Sequence, residues 1–160
     1  MTDPYRPLKN AFGRFATGVT IVSCKPEGAD PVAITVNSFT SVSLDPSLVL
    51  WCLETRASTF EAFMSADNYA VSVLRASGEG LSNRFADHAP TPLSADEREV
   101  WITGAPILKD RLAAFDCRVV DRHRSGDHVI LVGKVLKFDA HNGAPLLYFA
   151  SNYAEGPEAE

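Results

Sequence analysis

The stretch Ala113–Phe138, AAFDCRVVDRHRSGDHVILVGKVLKF, decides the fold class. Phe115, Cys117 and Val119 alternate with Asp116 and Arg118, the period of a half-buried β-strand over Ala113–His123. Arg124-Ser125-Gly126-Asp127 is a turn and His128–Phe138 a long apolar strand, so the pair reads as an antiparallel hairpin. Working outward, further strands are predicted at Val19–Cys24, Val32–Val36, Leu48–Leu53, Tyr69–Leu74 and Pro145–Phe149. Lys25–Pro31 is dense in turn formers and joins the first two. The unbroken apolar run Leu48–Leu53 predicts burial on both faces. Short helices are expected at Leu8–Phe15, with Gly18 as a stop signal, at Ser58–Ser65 and at Glu79–Asp87. Ser58 and Glu61 have capping-box spacing, and so do Ser94 and Glu97 beyond the proline-containing loop His88–Ser94. Strands joined by turns, without a βαβ rhythm, predict an antiparallel, mostly β barrel or sandwich.

The 160 residues suit a single domain spanning 1–160, with its core at about 8–154 and an acidic, mobile tail at 155–160. A formal net charge of -5 argues against nucleic acid as a partner, because phosphates call for a basic face. No apolar run approaches the roughly 20 residues that span a bilayer, and Met1–Pro7 is polar and proline-rich. A cytoplasmic protein with no membrane partner is expected. The three cysteines form no C-x-x-C pair, and no His/Asp/Glu cluster has metal-ligand spacing, so no metal is expected. Cys52 sits in an apolar run and Cys117 alternates with Phe115 and Val119, which marks both as small core residues rather than nucleophiles. No G-x-G-x-x-G follows the first strand, so a Rossmann site has no support.

The segment Ala33–Pro46, AITVNSFTSVSLDP, is rich in hydroxyls and amides for a connection between apolar strands. With Phe12–Val19, Arg56–Thr59, Gly126–His128 and Pro145–Tyr148, in that order and spacing, it resembles the short-chain flavin reductase family. These are flavin:NAD(P)H reductases that supply reduced flavin to two-component monooxygenases. The resemblance runs from Phe12 to Tyr153. It implies a six-stranded antiparallel split β-barrel with short flanking helices, a homodimer with the site near the subunit interface, and a flavin-dependent monooxygenase component as partner. The implied reaction is hydride transfer from NADH or NADPH to N5 of FMN or FAD. Two other activities stay open: a flavin-binding split barrel without turnover, and a flavoenzyme that uses bound flavin on an organic substrate.

The resemblance also assigns residues. Thr35, Val36, Asn37 and Ser38 line the flavin, with Ser41, Ser43 and Cys52 nearby. Such a segment can aim donors at the ring edge where reduction develops charge. Arg56, Ala57, Ser58 and Thr59 hold the flavin phosphate, at a helix start where free N–H groups and an arginine fork favour an anion. Arg84 and Phe85 touch flavin or nucleotide. His128, the catalytic candidate, faces the nicotinamide, and Tyr153 is a further cofactor-binding candidate. Beside these stand plainer readings: Ser58 as a helix cap only, Phe85 in the core with Arg84 solvated, and His128 as a turn residue. Asn83 belongs to the same segment as Arg84. The chain departs from the family in having Ser151 where a glycine is frequent, and Ser47 after Pro46.

Overall fold

The structure is a computed structural model covering residues 1–160. In chain order its elements are α1 (Arg6–Phe12), β1 (Thr17–Gly18), β2 (Thr20–Cys24), β3 (Val32–Val36), β4 (Thr40–Leu44), β5 (Ser47–Glu54), α2 (Phe60–Ser65), β6 (Asn68–Val73), α3 (Glu79–Ala86), β7 (Arg98–Val100), β8 (Pro106–Leu108), β9 (Ala113–Ser125), β10 (His128–Ala140), β11 (Leu146–Phe149) and β12 (Asn152–Glu155). The chain is mostly β, as its alternating patterns require.

The 113–138 hairpin is present as β9–β10, extended to thirteen residues a side. It forms the spine of one antiparallel sheet of seven strands in the order β3-β2-β6-β9-β10-β5-β4. The expected six-stranded split barrel differs from the sheet observed, which has seven strands and a ladder that ends at β3 and β4. The additional strand is Thr40–Leu44, part of the hydroxyl-rich connection, which pairs with β5 from Thr40↔Leu50 to Leu44↔Ser47. Thr40, Ser41 and Val42 are exposed, so no buried alternation betrays the strand.

The sheet curls around one apolar cluster that includes Val22, Trp51, Leu53, Tyr69, Val71 and Leu131. Phe63 of α2 closes it, edge-on to Trp51 with ring centroids 4.8 Å apart. Arg122 donates to the Ala66 carbonyl at 2.6 Å, just beyond α2, and fixes the helix to β9. Burial along β5 alternates: Val49, Trp51 and Leu53 are buried while Leu48, Leu50 and Cys52 are half-buried. The expected two-sided burial is therefore not met within one chain.

β9 departs from expectation in the opposite sense. Asp116, assigned to the solvated face, is fully buried. Its carboxylate accepts from the backbone N–H groups of Ile102 and Thr103 at 2.8 and 3.0 Å and from the Thr103 hydroxyl. The 101–105 segment thus covers the strand, and charge alone did not reveal a buried but fully bonded carboxylate. The first helix is shorter than predicted, and Phe12 and Phe15 stand exposed. Residues 155–160, expected to be mobile, carry reciprocal backbone bonds between Ala159 and Gly143 at 2.9 and 3.0 Å.

Gly133 marks the tightest approach in the sheet. A Cβ there would lie 2.4 Å from the Tyr69 hydroxyl oxygen and 3.0 Å from Cβ of Cys117. Overpacking a close-packed interior costs about 1–3 kcal/mol. Gly133→Ala is therefore expected to lower stability by about that amount in urea melts. Combined with Tyr69→Phe, which removes the closest atom, the loss should be smaller than the sum of the single losses.

Candidate functional site

β3 positions the first group of candidates. Thr20 of β2 donates its hydroxyl to the Val36 carbonyl at 3.1 Å, and Thr35 donates to the Ser82 carbonyl of α3 at 2.6 Å. Both bonds hold the strand end rather than offer atoms to a ligand. Ser38 is also committed, since its hydroxyl accepts from Cys52 N–H at 2.9 Å and donates to the Cys52 carbonyl at 3.1 Å. Cys52 therefore meets this region through its backbone. Its thiol, like those of Cys24 and Cys117, is pushed up by burial, to about 12 for the latter two. No cysteine is poised as a thiolate.

Asn37 is different. It is exposed, its amide makes no bond within the chain, and it lines three adjoining hollows of about 720, 520 and 190 Å³. The hollows form a groove between Phe12 and Phe15 on one side and the C-terminal hairpin on the other. Tyr153 lies in its wall, and its hydroxyl meets Ser82 Oγ at 2.6 Å. Thr35 and Val36 flank Asn37 in the smallest hollow. Ser41 and Ser43 lie on the edge strand β4 and line none of these hollows.

The Arg56–Thr59 turn forms a second group. The expected cap by Ser58 does not form: α2 starts at Phe60, Thr59 occupies the cap position, and neither hydroxyl bonds the helix. The reason is local. Phe60 N–H is bonded to the Ala57 carbonyl, which winds the turn one residue further. At six residues α2 is also too short for a strong terminal dipole. The turn instead offers side chains. Thr59 Oγ1 is buried without a partner, Ser58 is exposed, and Arg56 is exposed and makes no ion pair.

The hairpin tip adjoins this turn. Thr55 donates both its backbone N–H and its hydroxyl to the Asp127 carbonyl, at 2.9 and 3.1 Å. His128, facing Glu54 across the ladder, has Nδ1 at 2.7 Å from Asp127 Oδ1. His128 holds the Asp127 carboxyl below its ordinary range, and the Arg56 charge acts in the same direction. An N–H on Nδ1 leaves Nε2 as the free ring atom. Residues 12–157 match the family described as the flavin reductase like domain. The chain belongs to the flavin reductase family.

SmoA, an FMN reductase (NADH) of Agrobacterium fabrum (strain C58), is 43% identical over 89% of this chain and 81% of its own length. The solved structure of BorF, the flavin reductase component of a bacterial two-component tryptophan halogenase, has a TM-score of 0.89 and 33% identity, covering 96% of this chain and 99% of that one. SgcE6 of Streptomyces globisporus C-1027, an NADH:FAD oxidoreductase solved with NAD and FAD fragments, has a TM-score of 0.86 and 32% identity, covering 96% and 94%. Other family members are longer: the chain spans 44% of one from Rhizobium meliloti (strain 1021) that is 42% identical over 86% of this chain.

Within this flavin reductase chain, Arg84 has a structural task. Its guanidinium donates to the Thr91 and Pro92 carbonyls at 3.0 and 2.5 Å and forks onto Glu97 at 2.6 and 3.0 Å. It lies over the ring of Phe85, which is buried in the core beneath β3. The arginine expected to touch ligand thus pins the 88–94 segment. Tyr148 was missed. It lies opposite Tyr153 across the β11–β12 ladder, rings 5.4 Å apart, and lines two of the Asn37 hollows. Two tyrosines five apart around a short turn were the available signal.

The Arg84 fork, with help from the Ser94 backbone, lowers the Glu97 carboxyl from 4.5 to about 2. A depressed carboxyl contributes stability above its unfolded value and loses it as pH falls toward its folded one. The 88–94 segment should therefore loosen between about pH 4.5 and 2, with no titration of this pair near neutrality. Hydrogen exchange of 88–97 against pH measures this, and Glu97→Gln should abolish that acid transition in the segment.

Proposed function

We propose that the chain catalyses reduction of FMN or FAD by NADH or NADPH and passes the reduced flavin to a separate monooxygenase component. The observation that carries this reading is the turn at Thr59. A buried, unpartnered hydroxyl sits beside an unpaired arginine, and the histidine hairpin is fastened to the same turn. An unpaired buried hydroxyl is a standing penalty that a ligand oxygen removes. The residues present fit a flavin phosphate at Arg56, Ser58 and Thr59 and a ring edge at Asn37.

When bound, flavin supplies a hydride acceptor at N5 for the nicotinamide C4 hydride, chemistry that belongs to the two ligands. The chain contributes binding and orientation. Arg56 offers a planar pair of donors to phosphate. Asn37 offers its amide to the polar edge of a ring lying in the groove, with Tyr148 and Tyr153 as an aromatic wall. His128, its Nδ1 held by Asp127, presents Nε2 to the carboxamide of the nicotinamide. No protein nucleophile is required, in keeping with three cysteines raised by burial.

The finer architecture follows the same reading. The curled sheet acts as a split barrel, the whole chain as one domain, and the working unit is a cytoplasmic homodimer. Phe15 and Leu44 are 80% and 93% exposed, and the outer side chains of β5 are half-buried. A second copy seated there supports burial of these groups and places the Ser41 and Ser43 edge against the ligand of its partner.

The purified protein is expected to oxidise NADH or NADPH only when flavin is present, read as loss of nicotinamide absorbance with FMN, FAD or riboflavin added in turn. A chain that binds flavin and reduces none of the three would instead be a carrier. In the same assay His128→Ala should slow flavin reduction or raise the nucleotide KM while leaving flavin affinity intact.

Arg56→Ala tests the phosphate assignment. A charge-assisted bond is worth about 1.5–3 kcal/mol, so FMN affinity should fall about tenfold or more, with little change for riboflavin. Equal losses for both ligands in fluorescence titrations would assign Arg56 to the fold or to the ring.

A further inference from the structure

Most hydroxyls that line the Asn37 groove are spent on the chain itself. Thr20 bonds the Val36 carbonyl, Thr35 the Ser82 carbonyl, Ser38 the backbone of Cys52, and Tyr153 meets Ser82. Thr17 is the buried exception. It lines the two larger hollows, of about 720 and 520 Å³, and shares both with Asn37 and Phe15. The residue is half-buried, yet its Oγ1 is closed off from solvent and makes no hydrogen bond. Its backbone is fixed by the ladder that pairs it with Tyr148. Its side chain is not: rotation about Cα–Cβ carries a threonine hydroxyl between staggered positions, and no bond within the chain opposes it. A buried hydroxyl without a partner destabilises the free protein, and an acceptor brought into the groove removes that cost.

We propose that Thr17 is a further flavin-contacting residue, whose hydroxyl turns into the groove and donates to the polar edge of the flavin ring beside Asn37. The proposal rests on the flavin reductase reading above. β3 sets the spacing. Val32 and Ala33, at its start, share a cavity wall with Ser58 and Thr59, where that reading places the phosphate. Val36, at its end, precedes Asn37. From Ala33 to Asn37 the chain advances up to about 13 Å, at about 3.3 Å per residue. Phosphate and ring sit at opposite ends of a flavin's ribityl chain. A phosphate at one end of β3 therefore leaves the ring at the other, where Thr17 is. Asn37 brings an amide with donors and an acceptor, and Thr17 adds a second donor. Together they match the alternating carbonyl and N–H groups along that edge of the ring. Phe15 and Tyr148, which line the same hollow, supply apolar surface for the ring faces.

The test uses Thr17→Val and Thr17→Ser in the full chain. Riboflavin and FMN affinities are read by fluorescence titration, the NADH KM by turnover, and stability by thermal melts of ligand-free protein. Valine keeps the shape of threonine and removes the unpartnered hydroxyl. The ligand-free melting temperature of Thr17→Val should therefore hold or rise, by up to about 4 °C. Its affinity for riboflavin and for FMN should fall alike, about threefold to tenfold, the net worth of one hydrogen bond, because both ligands carry the ring. Thr17→Ser keeps the hydroxyl and should bind both within about twofold of wild type. A packing role would instead lower melting temperature and affinity together. Unchanged riboflavin affinity in Thr17→Val, a lowered melting temperature, or an equal loss in Thr17→Ser overturns the proposal. So does a loss confined to the NADH KM, which would give the hydroxyl to the reductant. If wild type reduces no flavin, yet Thr17→Val weakens riboflavin binding and Thr17→Ser does not, the reductase reading fails and the contact stands.

Discussion

One hydroxyl ties the chain just past the β3 edge of the seven-stranded sheet to β5 at its other end. Ser38 exchanges two hydrogen bonds with the backbone of Cys52, 14 residues on, where β3 has ended and β5 is in mid-course. A strand edge in the interior must satisfy its N–H and C=O groups. Ser38 does this for one residue of β5 without a ladder, past the point where pairing with β4 has ended. The inward faces of β2, β5, β6, β9 and β10 then share one core, with Trp51 edge-on to Phe63 and Tyr69. The same stitch leaves Asn37, the residue just before it, turned out into the groove. A serine committed to structure thus positions an asparagine free for a ligand.

A second fastening is of the same kind. The β9–β10 hairpin turns at Gly126-Asp127, and the Asp127 carbonyl receives two donors from Thr55. The ladder pairs His128 with Glu54, so the histidine and the Arg56 turn are fixed relative to each other by backbone register and the Thr55 bonds. Neither site needs a long side-chain network. Asn37 lies one residue beyond the end of β3 and Arg56 two beyond the end of β5, where the chain has left its ladder, while His128 opens β10.

Much of this was legible. The alternation in β9 and the apolar run of β10 gave the hairpin, the turn composition gave β2–β3, and the ordered motifs gave the family. Where reading failed, a polar group had a partner that sequence does not display. Asp116 is charged and fully buried because three donors from the 102–103 backbone and Thr103 surround it. Thr40–Leu44 is a strand because β5 templates it, not because its own pattern asks for one. Ser58 fails to cap α2 because the turn winds one residue further. Arg84 resembles a ligand-binding cation and is spent on two carbonyls and Glu97. Ser151 stands at φ 64, in the left-handed region where glycine is the easy residue, within the turn that brings Tyr153 opposite Tyr148. That turn explains why a glycine is frequent there and how a serine can still serve, at some backbone strain.

The groups that would meet ligand are few and nearly all at the surface: Arg56 and Asn37 are exposed, His128 half-exposed, Tyr148 and Tyr153 half-buried. A site built to retain its flavin encloses it, as deep ligand pockets do. This chain instead lays a groove beyond the end of β3, lined by Asn37, Tyr148 and Tyr153. Release of a product flavin demands that its contacts be shallow and separable, each one weak enough to leave in turn. On the proposed function, the curled sheet stitched at Ser38 would set where flavin and nucleotide meet, and the shallow contacts around it how long they stay.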